Sequence, residues 1–159
     1  MILIVGIGNN IDLVSFPRIN SWVNFRRIKM SHSYYNIWIH CIFSTKNRHP
    51  LIQPDFEHQL YERIKKNAEE LGCYPIYING TENHIHLLFL QNPKKNLTEI
   101  IKQIKGETSY WLNQEHRTIK FGWQVGFAAF SVSESQLEIV KKYIRNQKEH
   151  YKKQSFDQE

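Results

Sequence analysis

Residues 74–90 read Tyr74-Pro75-Ile76-Tyr77-Ile78-Asn79-Gly80-Thr81-Glu82-Asn83-His84-Ile85-His86-Leu87-Leu88-Phe89-Leu90, and this stretch decides the fold. Tyr74 to Ile78 and Ile85 to Leu90 are short apolar runs of strand length. Between them lies Asn79-Gly80, a pair that favours a tight hairpin turn. The stretch therefore predicts two neighbouring antiparallel strands with the turn at Asn79-Gly80.

Upstream, Tyr35, Ile37, Ile39, Cys41 and Phe43 alternate with Asn36, Trp38, His40 and Ile42. A period of two predicts a strand over 34–45. Pro50 and Pro54 punctuate the next loop. Asp55 is then the expected cap of a helix with the stripe Phe56, Leu60, Ile64, Ala68 and Leu71, closed by Gly72. Downstream, Asn96 with Glu99 opens a second helix on Leu97, Ile100, Ile101, Ile104, Thr108 and Trp111. A fourth strand is expected over 122–131. Ser133 and Gln136 read as a capping box, and Val132 with Leu137 as a hydrophobic staple. They start a last helix running to about Tyr151. The order is β-α-β-β-α-β and a final helix. This is an α+β, ferredoxin-like or RRM-like plan: an antiparallel sheet with helices on one face plus a C-terminal helix.

The chain has 159 residues, 21 Lys and Arg against 15 Asp and Glu, and a pI near 9.3. That balance suits an anionic partner such as nucleic acid. Hydrophobic residues at 41% supply a packed core. Cys41 and Cys73 make neither a disulfide framework nor a metal-type pair, which fits a reducing cytoplasm. No run approaches the ~18 apolar residues of a membrane helix. No Walker loop is present, so no nucleotide cofactor is expected. Residues 1–29 show no sustained period and no evident pairing partner. The expected organisation is a dispensable N-terminal extension over 1–29, a catalytic domain over 30–153 beginning at Met30, and a tail over 154–159.

Two elements carry chemistry. His84 and His86 flank Ile85, so on a strand both imidazoles project to one face while Ile85 turns to the core. Two neutral imidazoles side by side suit a divalent metal. Tyr143 and Gln147 lie four apart on the last helix, about 6 Å along its axis on one face. A phenol can attack phosphorus, and an amide carbonyl is a neutral ligand for a hard cation. Lys141, Lys142 and Arg145 would favour the phenolate if close in space. Taken singly, His-x-His also marks an exposed polar face, and Tyr-x-x-x-Gln a surface tyrosine. The conjunction points to metal-assisted transesterification, an exchange of phosphoester bonds that needs no ATP.

Three blocks carry a family resemblance. They are Ser31 through the basic turn Phe43-Ser44-Thr45-Lys46-Asn47-Arg48-His49-Pro50-Leu51-Ile52, the segment Glu82-Asn83-His84-Ile85-His86-Leu87-Leu88, and the pair Phe130-Ser131-Val132-Ser133 and Tyr143-Ile144-Arg145-Asn146-Gln147. Over residues 30–153 the chain resembles the single-tyrosine HUH transposases of the insertion-sequence 200/605 type, with the REP-associated tyrosine transposases. The resemblance implies a homodimer acting on single-stranded DNA hairpins with magnesium or manganese. It implies Tyr143 as nucleophile and His84, His86 and Gln147 as metal ligands. Lys46 and Arg48 become phosphate contacts. Three other readings stand beside it: a domesticated relative acting on genomic palindromes, a plain RNA- or DNA-binding module, and a phosphoesterase using the histidines directly.

Overall fold

A computed structural model describes residues 2–7, 10–15, 34–116 and 120–148. The chain divides into a unit over 1–34 and a unit over 35–159. The Met30 start and the 154–159 tail fall outside the described residues. The last helix, expected to run to about Tyr151, ends at Arg145, because Asn146 leaves helical geometry at ψ 9°.

In the first unit, β1 (Ile2–Ile7) pairs antiparallel with β2 (Asn10–Ser15), Ile7 opposite Asn10. This corrects the expectation of no pairing partner. The signal was local: Ile- and Val-rich runs flank Gly8-Asn9, a dipeptide of hairpin-turn type.

The second unit is built on a four-stranded antiparallel sheet. Its strands are β3 (Trp38–Ser44), β4 (Tyr74–Thr81), β5 (His84–Leu90) and β6 (Ala128–Val132), in the order β4-β5-β3-β6. Helices α1 (Pro54–Glu70) and α2 (Leu97–Glu115) cover one face, and α3 (Leu137–Arg145) packs against the other. The alternation of β3 and β5 explains both layers. Ile39, Cys41 and Phe43 join Ile85, Leu87 and Phe89 in a core with Phe56, Leu60 and Ile64 of α1 and Ile100, Ile101 and Ile104 of α2. The opposite parity sends Trp38 and Leu88 to meet Leu137 and Ile144 of α3. Fully burying each large apolar side chain is worth about 1.5–3 kcal/mol, so the larger cluster fixes which face of each strand points inward. No helix among the described residues is long and apolar enough to cross a membrane.

The expected α+β plan holds, while several boundaries move. Strand β3 starts at Trp38, later than expected. The hairpin turn lies at Glu82-Asn83, beyond Asn79-Gly80, because β4 continues through Thr81 with Asn79 opposite His86 and Thr81 opposite His84. Gly80 serves the ladder differently: a Cβ there would collide with the carbonyl oxygen of His84. Helix α1 begins at Pro54 after an extended Gln53, so Asp55 sits in the first turn and caps nothing. Proline favours that first position because its missing N–H would have no helical partner anyway. Gly72 closes α1 as expected, at φ +75°. Asn96 caps α2 by accepting from the Thr98 amide at 2.8 Å.

The expected strand over 122–131 is shorter. Trp123 makes an isolated bridge to Thr45, and continuous pairing starts only at Ala128. Between them Gly126 takes φ +84°, and Lys105 Nζ donates to the carbonyls of Gln124 and Gly126 at 2.7 and 2.6 Å. Those carbonyls face the lysine and not a neighbouring strand. The capping box before α3 is absent. A 3-10 turn over Glu134–Gln136 precedes the helix, and the Ser133 hydroxyl bonds that of Ser135 at 3.1 Å. Val132 and Leu137 nevertheless share the smaller cluster, as a staple would.

Candidate active site

The site forms on the α3 face of the sheet, at the end of β5 that begins with His84. Ile85 is fully buried in the main core, so His84 and His86 face the other way, their rings 5.1 Å apart. The spacing expected from the strand period is therefore present.

Each imidazole has its Nδ1 in a short polar contact. His84 Nδ1 lies 2.7 Å from Asn83 Oδ1 and 2.9 Å from Thr81 Oγ1. An amide oxygen only accepts, so in the contact with Asn83 the Nδ1 of His84 is the donor. His86 Nδ1 lies 2.9 Å from Nε2 of His40, a β3 residue. The opposite nitrogen, His86 Nε2, is buried and has no hydrogen-bond partner among the described residues. Burial, then the neighbouring His84 and His40, push the His86 pKa down to about 3. His84 is lowered by burial and by Arg48, against an opposing hydrogen bond with Gln147. Both imidazoles are thus neutral near pH 7, the form with lone pairs to give.

Helix α3 brings the second element. The Tyr143 ring stands edge-on to His86 at 5.7 Å and to His40 at 6.1 Å. Gln147 follows one residue past the Asn146 cap, is 6% exposed, and hydrogen-bonds His84. The end of α3 is pinned by Asn79 on β4, whose amide donates to the carbonyls of Ile144 and Arg145 at 2.9 and 3.0 Å. An open cavity of about 540 Å³ is lined by His84, His86, Tyr143, Gln147 and Arg48.

The basic turn divides in two. Arg48 lines the cavity and Lys46 does not. Asn47 and Arg48 sit at φ 56° and 55°, a left-handed pair that non-glycine residues adopt at a cost. The turn is held there by Lys46 N bonding Gly122 O at 2.8 Å and Asn47 N bonding Gln124 Oε1 at 2.9 Å. Among the cations expected beside Tyr143, Lys141 pairs with Glu138 at 2.7 Å and Arg145 lies over the Tyr77 ring.

The structure thus brings His84, His86, Tyr143, Gln147 and Arg48 to one cavity. Behind them stand His40, against His86, and Asn79, against the end of α3, neither of which the sequence marked as part of a site. The signal for His40 was its parity in β3, the same as that of Trp38. Among the described residues no three His, Cys, Asp or Glu side chains form a metal cluster. The donors available to a divalent ion are two imidazoles and one amide oxygen. The buried, partnerless Nε2 of His86 fits such an ion, and Thr81, Asn83 and His40 supply the outer hydrogen bonds that metal-binding histidines need.

A four-stranded antiparallel sheet carrying a His-Ile-His strand and a tyrosine helix on one face defines the class of the molecule. Residues 33–147 match the family described as transposase, IS200-like, and the chain belongs to that family. It is similar to the ISDra2 transposase TnpA of Deinococcus radiodurans, at 24% identity over 71% of this chain and 85% of the relative. Among solved structures it is similar to one described as a transposase of D. radiodurans R1 (TM-score 0.62, 21% identity, 75% of this chain and 96% of that one). It is also similar to a REP-associated tyrosine transposase bound to a REP hairpin (TM-score 0.54, 15% identity, 75% and 72%). These structural likenesses bear on the fold.

Proposed function

We propose that the protein cleaves and rejoins single-stranded DNA at insertion-sequence ends, with Tyr143 as the nucleophile and His84, His86 and Gln147 as ligands for Mg²⁺ or Mn²⁺. The observation that carries this reading is the Tyr143 ring set edge-on to His86, 5.7 Å away, over the open cavity.

A bound divalent ion would supply Lewis acidity toward a phosphate oxygen. The chain's own residues do the rest. Arg48 offers a guanidinium to the scissile phosphate, in a fork that matches two phosphate oxygens. Asn79 fixes the end of the helix that carries Tyr143, so its hydroxyl keeps one approach to the cavity. The phenol releases its proton to solvent and its oxygen bonds to phosphorus. The P–O3′ bond breaks, and the departing 3′-oxygen takes up a proton. A 5′-phosphotyrosine remains, and a 3′-hydroxyl from another strand reverses the step. Phosphoester bonds are exchanged without hydrolysis, so no nucleotide is consumed. In this reading the partners are single-stranded DNA hairpins and a second copy of the chain, in the cytoplasm.

The test mixes the protein with a labelled, hairpin-bearing single strand from its own genomic flanks and Mn²⁺ or Mg²⁺. A denaturation-resistant protein–DNA adduct is expected, lost in Tyr143→Phe and on adding chelator. An adduct that persists in Tyr143→Phe would overturn the nucleophile. Strand cleavage by Tyr143→Phe that His86→Ala abolishes would instead point to a phosphoesterase.

A further inference from the structure

Resting on the metal reading above, we propose that His40 is a positioning residue. Its Nε2 accepts a hydrogen bond from His86 Nδ1–H and so holds His86 in the tautomer whose Nε2 lone pair is available to a cation.

Three observations carry this. The two nitrogens are 2.9 Å apart, and the rings stack with centroids 5.1 Å apart and planes inclined by 24°. Both side chains are buried, at 8% and 3% exposure, so water competes little for the bond. A nitrogen–nitrogen contact this short needs one proton between the rings, and burial of both side chains disfavours a charged pair. A neutral pair has two arrangements. If His40 donated, His86 would accept on Nδ1 and carry its proton on Nε2. That would leave a buried N–H with no partner, a rarer state than an unshared lone pair, and a nitrogen unable to bind metal. If His86 donates, Nε2 is a lone pair. His40 then carries its own proton on Nδ1.

The fold makes the contact a consequence of register. His40 lies opposite Leu88 in the β3–β5 ladder, and His86 lies opposite Ile42. They are diagonal neighbours on one face, a distance that long or aromatic side chains span. The same imidazole meets Tyr143 edge-on at 6.1 Å. His40 therefore touches both His86 and Tyr143.

The test uses the full chain, labelled with ¹⁵N and free of metal. Long-range ¹H–¹⁵N correlation of the histidine side chains is expected to show His86 and His40 both as Nδ1–H tautomers. In His40→Leu, His86 is expected to shift toward Nε2–H. In His40→Gln, whose amide oxygen can accept, it is expected to return. Mn²⁺ titration by calorimetry should follow the same order, with affinity falling about tenfold or more in His40→Leu and largely restored in His40→Gln. Wild-type His86 found as Nε2–H would overturn the inference, as would equal Mn²⁺ affinity in His40→Leu. His84→Ala separates the two ideas: unchanged Mn²⁺ binding there would sink the metal reading, while the tautomer result would still stand or fall by itself.

Discussion

The side-chain amide of Asn79 donates to the main-chain carbonyl of Ile144 at 2.9 Å, and it does so from the residue directly opposite His86 in the sheet. One β4 residue therefore ties the histidine strand to the tyrosine helix. Helix ends leave carbonyls without partners, and Asn79 meets two of them. Asn79→Ala is expected to lower stability by about 1 kcal/mol and to reduce adduct formation far more than that loss explains. Asn79→Asp should be worse than Ala, because a carboxylate would face the negative end of the α3 dipole. Chemical denaturation beside the adduct assay checks both. Equal activity in all three proteins would show that α3 is held by other contacts.

Gly80 next door tests the hairpin. A methyl group there meets the His84 carbonyl oxygen, a backbone atom that cannot rotate away. Gly80→Ala should cost about 1–3 kcal/mol as the ladder shifts, and should weaken Mn²⁺ binding with it. A variant with wild-type melting temperature and wild-type metal affinity would contradict this placement.

Arg48 and Lys46 are separated by the cavity. Arg48→Ala should weaken single-strand binding and lower the slope of log affinity against log salt by about one phosphate contact's worth. Lys46→Ala should change both less. Fluorescence anisotropy over a salt series measures this, and equal slopes for the two variants would remove the distinction.

Cys41 gives a pH prediction away from the proposed ligands. Burial is the main cause that raises its thiol pKa from 9.0 to about 12. The unfolded thiol ionises first, so between pH 9 and 12 the unfolded state holds fewer protons and stability falls as pH rises. The limiting slope for one group is about 1.4 kcal/mol per pH unit. Cys41→Val should flatten the alkaline fall in denaturation midpoint. A curve parallel to wild type would place the alkaline sensitivity elsewhere.

The sequence made the face of each histidine legible because strand parity is a local property. Tyr143 was legible as a position on the last helix, whereas Gln147, expected one turn further along it, lies past the Asn146 cap. The element order followed from the apolar periods, with Asn96 and Gly72 marking helix ends where Asp55 and Ser133 did not. What escaped were relations between distant segments. Asn79 reads locally as a turn residue, yet its amide is engaged 65 positions away, at Ile144. His40 reads as one polar position in an alternating strand, and only the pairing of β3 with β5 brings it to His86. The late start of β6 depends on Lys105, a helix residue holding loop carbonyls across the fold. The N-terminal hairpin was a different case: its two strands of six residues are too short to show a sustained period.

Ile85, sealed in the core between His84 and His86, has a consequence for how such an enzyme can change. Slipping β5 by one residue would turn both imidazoles into the apolar core and an isoleucine toward the cavity. With the proposed roles of His84 and His86, folding fidelity and chemical competence then fall under a single constraint. Diversification of substrate preference is left to the segments that the ladder does not dictate, the turn over residues 46–49 and the loop over residues 122–127.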